Sequence, residues 1–389
     1  MSRKEMSRLY GTLPMLTGAH CHAVIDTEAL CRNYRALRAR AGGTRCICVI
    51  KADAYGHGAP EAARALAHEG CRHFAVSALE EALAVREAVA DAEILIFGNV
   101  LPEQVELLLA HRLTVTLFSA TEAEALAREA ARLGGSLLAH IKLDTGMNRL
   151  GFPVCTEAAR RESLGEIEAL FAREGIKVTG IYSHFATADE EDGAPTREQA
   201  ARFFEVTEAL EKKGFAPGLR HICNSAGVLG YPEYAADAVR LGIALYGYAP
   251  NGAEDVTLSP VMRLETSVTH LHTMPEGAHL GYGGTYAATE PRQIATLGIG
   301  YADGWLRAYT GATVTVHTAK GDVHAPVVGR IYMDQCMLDV TGLPVACGDR
   351  VTLFGQNVAE LEALAERAHT IPYECLCLIS ARVPREKKA

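Results

Sequence analysis

Eight short apolar segments recur between residues 46 and 240, and most are separated by stretches with helical signals. Parallel strands need crossover connections, usually helices, and eight such units can close on themselves. The pattern therefore predicts an α/β protein with an N-terminal parallel (β/α)8 TIM-like barrel, with an open doubly wound sheet as the alternative. The predicted strands are CICVI (46–50), HFAVS (73–77), EILIFG (93–98), TVTLF (114–118), AHIKLD (139–144), VTGIYS (178–183), RHICN (220–224) and DAVR (237–240).

Helix signals lie between these strands. Leu30, Tyr34 and Leu37 recur at i, i+4 and i+7, which predicts a helix with one apolar face before the first strand. SALE (77–80) and SATE (119–122) each fit the S-x-x-E capping box directly after a strand. We therefore expect helices to begin at both places.

The sequence changes character after Pro250. The segment PNGAED (250–255) has the composition of a linker, and the alternating segments TVTVHTAKGDVHAPVVG and DRVTLFG are typical of β-strands. We therefore expect an N-terminal extension over residues 1–21, the barrel over residues 22–255, and a C-terminal, mostly β domain over residues 256–389.

Charge and cysteine usage limit the partners. The chain has 389 residues and a net charge of −9, without a basic cluster, so a nucleic-acid partner is not expected. No apolar stretch reaches the roughly 18–20 residues of a membrane helix. The 11 cysteines are scattered without a CxxC motif, which favours the reducing cytoplasm. His20-Cys21-His22 lacks further ligands, so no metal site is expected. Small molecules or other protein chains remain as partners.

Polar side chains follow the predicted strands, at the end where barrels of this kind carry their chemistry. Taken singly, a lysine or arginine after a strand is more often solvated than catalytic, and His184 alone could be an ordinary core histidine. Together, an amine, two guanidinium groups and an imidazole at one rim predict an anionic ligand. The residues are Lys51 after strand one, Arg149 after strand five, His184 after strand six, Asn224 and Ser225 after strand seven, and Arg240 at the end of strand eight.

The loops after strands seven and eight suggest which anion binds. NSAG (224–227) and LGI (241–243) offer a hydroxyl group and free backbone N–H groups, where such barrels commonly hold a phosphate. A lysine that can form an imine beside a phosphate site suggests pyridoxal 5′-phosphate. If Arg240 faces the pyridine nitrogen, it cannot accept that nitrogen's proton, and the ring is a weaker electron sink.

Eight segments of the chain occur in the order IKADAYGHG, HIKLDTGMNRLG, SHFATAD, NSAG, VRLGIALYG, GIGYADGW, GRIYMDQCMLDV and IPYECLCLISARVPR. They resemble, in the same order, the signatures of the bacterial alanine racemase family. The resemblance covers roughly residues 22 to 386 and implies a fold-type III enzyme that binds pyridoxal phosphate, with an N-terminal barrel, a C-terminal β domain and a head-to-tail homodimer. It also implies interconversion of L- and D-alanine and a supply of D-alanine for peptidoglycan.

The resemblance implies a role for each matched residue near the reacting atoms. Lys51 would carry the cofactor as an imine and act as the base on the D-alanine side. Tyr301, from the other subunit, would be the base on the L-alanine side. Arg240 would face the pyridine nitrogen, with His184 hydrogen-bonded to it.

The remaining implied roles concern the substrate and the phosphate. Arg149 would contact the cofactor's phenolic oxygen and the substrate carboxylate, and Met333 of the partner chain would offer that carboxylate a backbone N–H. Lys142 matches a lysine that is often carbamylated in the family and then orients Arg149. The implied phosphate contacts are Tyr55, Ser225, Gly242, Ile243 and Tyr373.

Two positions depart from the family pattern, and three rival functions stay open. Tyr332 stands where many relatives have cysteine, and Asn148 where several have glycine or histidine; we expect neither to abolish activity. Serine-preferring relatives tend to have a smaller polar residue in place of Tyr373 and an attached membrane domain, so alanine is favoured. The alternatives are a serine or broad-specificity racemase, a fold-type III decarboxylase and a non-enzymatic carrier of pyridoxal phosphate.

Overall fold

The computed structural model describes residues 20–250 and 256–388. The chain forms two compact units, Asp26–Val261 and a second that combines the strand Cys21–Ile25 with the chain from Met262 onward. Almost all of the expected N-terminal extension and of the expected linker lies outside the described residues. The domain boundary expected at residue 256 remains a proposal.

The unit Asp26–Val261 is a closed barrel of eight parallel strands. Its last strand closes the ring, because Ala238 pairs with Arg45 on one side and His221 on the other. All eight predicted strands are present, which confirms the predicted fold. They are Arg45–Val49, His73–Val76, Glu93–Ile96, Thr114–Leu117, Leu137–Asp144, Ile176–Tyr182, Leu219–His221 and Ala238–Leu241, and the short strand Phe152–Pro153 pairs with the end of the fifth.

The start of the barrel differs from the expectation. Residues 22–25, predicted to begin the barrel, belong instead to the strand Cys21–Ile25, which pairs antiparallel with Met262–Met274 in the other unit. Its residues alternate between buried and half-buried, whereas the barrel strand Thr114–Leu117 is buried throughout. Alternation of this kind is typical of an antiparallel sheet with one solvated face, which explains where the segment lies.

Helices alternate with the barrel strands and bury apolar residues against them. The first buries Leu30, Tyr34 and Leu37, as predicted. The helices are Thr27–Arg40, Ala59–His68, Leu79–Ala88, Val105–Ala110, Ala120–Arg132, Glu157–Phe171, Ala194–Lys212 and Ser225–Gly230, and short 3₁₀ turns span Pro102–Gln104, Pro232–Tyr234 and Ile243–Tyr246.

One of the two predicted helix caps is present and the other is wrong. The Ser119 hydroxyl accepts a hydrogen bond from the Glu122 N–H at 3.3 Å, as expected. The helix Leu79–Ala88 begins after Ala78, which has no side-chain cap. There the Glu81 carboxylate, rather than that of Glu80, accepts the backbone N–H of Ser77 at 2.7 Å, and its other oxygen accepts the Ala52 N–H in the loop after the first strand at 2.7 Å.

The second unit is mostly antiparallel β structure, which confirms that prediction. Six strands pair in a ring. Cys21–Ile25 pairs with the ring strand Met262–Met274, and Arg385–Lys387 pairs in parallel with Cys21–Ile25. Its helices are Val358–Arg367 and Pro372–Cys377, and a two-stranded pair joins His279–Leu280 to Tyr286–Ala287. The ring strands are Met262–Met274, Arg292–Leu297, Thr313–Thr318, Gly321–Val328, Cys336–Asp339 and Arg350–Phe354.

The described residues include neither a candidate membrane-spanning helix nor a candidate metal-binding cluster. None of the helices in this part of the chain is long and apolar enough to cross a membrane. Likewise, no group of three or more histidine, cysteine or acidic residues among the described positions could hold a metal ion.

Candidate active site

The C-terminal ends of the barrel strands bring the predicted cationic residues together. Their proximity is visible in their effect on the imidazole of His184. Burial and the positive charges of Arg240, Lys142, Arg149 and Lys51 hold the pKa of His184 well below its usual range. The ring is therefore neutral at physiological pH, and the mouth of the barrel is strongly positive.

Arg240 is the most deeply buried of these cations. Its Nη1 donates to His221 Nδ1 at 2.8 Å, and its Nη2 lies 3.1 Å from His184 Nδ1. The carbonyl oxygens of Ser183 and Ile222 accept from Nη2 at 2.7 and 2.8 Å. Burial lowers the pKa of the guanidinium to about 10, so it remains charged near neutrality. Its acceptors are carbonyl oxygens and imidazole rings, and none of the ion pairs among the described residues gives it a carboxylate partner.

Two further histidines continue this network into the barrel. His221 Nε2 lies 3.0 Å from His140 Nδ1, and burial lowers the pKa of His140 to about 3. Because a guanidinium only donates, the His221 nitrogen that faces Arg240 must accept. The neutral His221 ring therefore carries its proton on Nε2 and donates it to His140, which fixes the tautomers along the chain.

An aromatic ring lies close to both of the most buried cations of the mouth. Tyr182 stacks on His221 with ring centroids 4.7 Å apart, while Lys142 Nζ lies 5.6 Å and the Arg240 guanidinium carbon 5.3 Å from the Tyr182 centroid. Burial raises the pKa of Tyr182 to about 12. Lys142 Nζ donates to the Leu143 carbonyl at 2.7 Å.

The chain turns unusually just after Lys51. Ala52, Asp53, Ala54 and Tyr55 have φ values of 51 to 56°, a left-handed run that costs non-glycine residues roughly 1–2 kcal/mol each. Side chains hold it in place: Glu81 accepts the Ala52 N–H at 2.7 Å, and the Asp53 carboxylate accepts the Ala59 N–H at 2.9 Å. The turn brings the Tyr55 ring to the loop after the eighth strand.

Hydroxyl and backbone N–H groups meet around Gly242. Ser225 Oγ accepts the Gly242 N–H at 2.9 Å. A Cβ on Gly242 would lie 3.0 Å from Tyr55 Oη and 3.7 Å from Ser225 Oγ, so the missing side chain leaves room between two hydroxyl groups. The predicted contact Ile243 is buried beside them, and Asn224 caps the helix Ser225–Gly230 by accepting the Gly227 N–H at 2.9 Å. These groups fit the phosphate of a cofactor.

The loop that carries Arg149 is held by the side chain of Asp144. Asp144 Oδ1 accepts the N–H groups of Gly146 and Asn148, each at 3.0 Å, and Arg149 follows as an exposed residue. Gln199, which is buried, donates to the Thr145 hydroxyl at 3.1 Å and to the His184 carbonyl at 3.0 Å. The loops after strands five and six are thus tied to each other.

The predicted residues of the β unit lie on neighbouring loops of that unit. Tyr301 is 41% exposed and Met333 is 54% exposed. The Tyr301 N–H donates to the Tyr332 carbonyl at 2.9 Å, so the two loops run side by side. Tyr373 lies near the start of the helix Pro372–Cys377 and is half-buried.

The barrel also opens at the opposite end, where a cavity of about 1140 Å³ is lined by the starts of all eight strands. Its carboxylates are already paired: Asp237 with Arg220 at 2.8 Å and Glu93 with His73 at 3.3 Å. The predicted lysine, arginine and hydroxyl residues lie at the other mouth, so we place the chemistry there.

Sequence reasoning missed several residues that shape this mouth. Glu81 and Gln199 act from helices, and nothing in their sequence neighbourhoods marks them. Tyr182, His140 and His221 lie inside predicted strands, where their polar character among apolar neighbours was the available signal.

Comparison with known proteins gives a consistent result. Residues 25–250 match the family model described as alanine racemase, N-terminal domain, and residues 261–387 match alanine racemase, C-terminal domain. The alanine racemase of Methanococcus maripaludis is 38% identical over 371 residues, which cover 93% of this chain and 97% of that protein.

Solved structures agree with the sequence comparison. The alanine racemase of Clostridium difficile 630 has a TM-score of 0.88 at 34% identity and covers 95% of both chains. The Bartonella henselae alanine racemase, solved with covalently bound pyridoxal phosphate, has a TM-score of 0.84 at 30% identity and covers 95% of this chain and 100% of its own.

Proposed function

The chain belongs to the alanine racemase family and interconverts L- and D-alanine, and from this premise we propose that it uses pyridoxal 5′-phosphate and one base on each face of the substrate. The family is dependent on this cofactor, and the groups around Gly242 fit its phosphate. Bound at the barrel mouth, the cofactor supplies an electron sink that makes the α-hydrogen of alanine acidic.

Each cofactor-binding residue has a proposed partner atom. Lys51 holds the cofactor covalently, and its phosphate is held by the Tyr55 and Ser225 hydroxyls and by the backbone at Gly242 and Ile243. Tyr373 is the fifth proposed phosphate contact. The set offers mainly O–H and N–H groups, which suit a phosphate dianion.

Arg240 gives the proposal its main support, because a guanidinium facing the pyridine nitrogen would determine whether that nitrogen is protonated. The guanidinium can donate to that nitrogen but cannot take its proton, and the acceptors around Arg240 are carbonyls and neutral imidazoles. A ring without the extra proton withdraws electrons weakly. A weak electron sink disfavours prolonged loss of the substrate's α-proton, so the rate of the reaction depends on well-placed bases.

We propose that Lys51 removes the α-proton of D-alanine and Tyr301 that of L-alanine. Arg149 binds the substrate carboxylate, and the Met333 N–H supports it. Tyr301 and Met333 are exposed on their unit, which supports a head-to-tail homodimer in which each site is completed by the other chain. We further propose that the enzyme works in the cytoplasm and supplies D-alanine for peptidoglycan.

The cofactor assignment is tested by Lys51→Ala. The wild-type protein should show the absorbance of covalently bound pyridoxal phosphate and interconvert the alanine enantiomers, whereas the variant should lose both. Lys177→Ala is the matched control, because Lys177 lines the cavity at the opposite end of the barrel. Retention of the covalent chromophore in Lys51→Ala would overturn the assignment.

The shared site is tested by mixing Lys51→Ala chains with Tyr301→Ala chains. Random exchange makes half of the dimers mixed, and each mixed dimer has one intact site of two, so about a quarter of wild-type activity should return. Each variant mixed with itself is the control. Mixed dimers without recovered activity would contradict a site shared between chains.

A further inference from the structure

The loops that carry Tyr301 and Met333 are packed against each other through their backbones. The Tyr301 N–H donates to the Tyr332 carbonyl at 2.9 Å and the Ala302 N–H to the Met333 carbonyl at 3.0 Å. A Cβ on Gly300 would lie 2.3 and 2.4 Å from these two carbonyl oxygens, which is closer than any side chain permits. The positions of the two loops therefore depend on each other.

A single arginine links the same two loops through their carboxylates. Arg382 Nε donates to Asp303 Oδ1 at 2.6 Å, and Arg382 Nη2 donates to Asp334 Oδ1 at 2.6 Å. Asp303 follows Tyr301 by two residues, and Asp334 directly follows Met333. The hydrogen bonds to Asp303 and Asp334 raise the pKa of Arg382, which keeps it charged.

Asp303 extends this link to the start of the Tyr301 turn. Its second carboxylate oxygen accepts the Gly300 N–H at 2.9 Å, and its carbonyl accepts the Ser380 N–H at 3.0 Å. Asp303 is buried, whereas Asp334 is exposed. Without the guanidinium, two carboxylates would face each other across the junction, one of them buried without a cation, and the loops would be driven apart.

We propose that Arg382 is a positioning residue for the racemase reaction, because it fixes Tyr301 and Met333 relative to each other. Arg382 contacts no reacting atom; it acts through Asp303 and Asp334. The inference rests on the proposed function, since it takes Tyr301 as the base on the L-alanine side and the Met333 N–H as a carboxylate contact.

The proposal has an asymmetric consequence. A displacement of about 1 Å can cost about 100-fold in rate. Moving the Tyr301 loop should slow removal of the α-proton from L-alanine, while Lys51, in the barrel unit, still removes that of D-alanine. A general loss of folding would lower both rates together.

The test follows the loss of α-deuterium from each enantiomer separately, using the holoenzyme of Arg382→Met. Loss from L-[α-²H]alanine should fall by roughly 10- to 100-fold and loss from the D enantiomer by less than about 3-fold. Arg382→Lys should recover part of the L-side rate, because an ammonium group keeps the charge without the planar fork. Arg367→Met is the control, since Arg367 donates to the Thr310 carbonyl at 3.0 Å, away from both loops.

Two outcomes overturn the proposal: no change in either rate, or an equal fall in both. If Arg382→Met does not fold, Asp334→Asn decides the matter, because it weakens the same link from an exposed position and should slow the L side selectively. Tyr301→Phe is measured in parallel. If Tyr301→Phe shows no asymmetry, the proposed function fails; if it does and the link variants do not, only the role of Arg382 fails.

Discussion

Lys142 should accept carbon dioxide as a carbamate near neutral pH, because a large fraction of its amine is uncharged there. Burial is the main cause, the positive charges of Arg240 and Arg149 add to it, and together they lower the pKa of Lys142 to about 7. About half of the amine is then neutral at pH 7, compared with roughly one part in 3,000 for an ordinary lysine. Only the neutral amine reacts with carbon dioxide, and the anion formed would be stabilised by the same two guanidinium groups.

The lowered pKa of Lys142 can be checked by measuring how folding stability depends on pH in buffers free of carbon dioxide. Between pH 7 and about 10.5 the unfolded chain binds a proton at Lys142 that the folded chain does not. Folding stability should therefore rise with pH by about 1.4 kcal/mol per unit across this window. Lys142→Met removes this contribution, so the variant should be more stable than the wild type at pH 7 by up to about 5 kcal/mol, and the difference should shrink as pH rises.

Two measurements test carbamate formation at Lys142 and the lowered pKa of its amine. Wild-type protein equilibrated with ¹³C-bicarbonate at pH 8 should show a protein-bound carbamate carbon by NMR that Lys142→Met lacks and the exposed Lys177→Met keeps. Urea unfolding at pH 7 and pH 9 should show the narrowing difference in stability. A wild-type protein without the carbamate signal, or a stability difference that does not change with pH, would refute the reasoning.

Three further variants test the barrel mouth and the base on the β unit. Gly242→Ala should weaken pyridoxal phosphate binding about 10-fold in a cofactor titration, because the new Cβ would lie 3.0 Å from Tyr55 Oη; unchanged affinity would argue against the phosphate site. Arg240→Met should lower the free energy of unfolding by about 3–5 kcal/mol, since the Ser183 and Ile222 carbonyls lose their donor; a loss below about 1 kcal/mol in urea would contradict this. Tyr301→Phe should slow α-deuterium loss from L-alanine far more than from D-alanine, and equal rates would argue against two bases.

The barrel could be predicted from the sequence because most of its strands, such as Thr114–Leu117 and Ala238–Leu241, are short segments buried on both faces. Cys21–Ile25 could not be placed this way. Its partner Met262–Met274 lies more than 200 residues away in the chain, and a local apolar pattern does not reveal which of two sheets a strand joins. The same limit applies to the cap expected at Ser77. Its backbone N–H donates to Glu81, whose other oxygen bonds the distant loop after the first strand.

The site was predictable where position along the chain determines position in space. Residues that directly follow parallel strands must meet at one mouth, so Lys51 and Arg240 could be expected together. The left-handed run after Lys51 could not, because it depends on Glu81 from a neighbouring helix and on the packing of Tyr55 against Tyr246, with ring centroids 4.8 Å apart. Contacts between loops depend on tertiary packing, which no local pattern specifies.

The charges at the barrel mouth determine what Arg240 can offer to a bound cofactor. Burial, together with the positive charge of Arg240, lowers the pKa values of His184 and His221, and the neutral rings can then accept hydrogen bonds from Arg240. A protonated histidine or a carboxylate at either place would change what Arg240 presents to the cofactor. As it stands, Arg240 can only donate, which keeps the proposed electron sink weak. A weak sink makes the rate depend on how well the two bases are aligned, and this is why a link such as Arg382, outside the reacting atoms, should matter to one direction of the reaction.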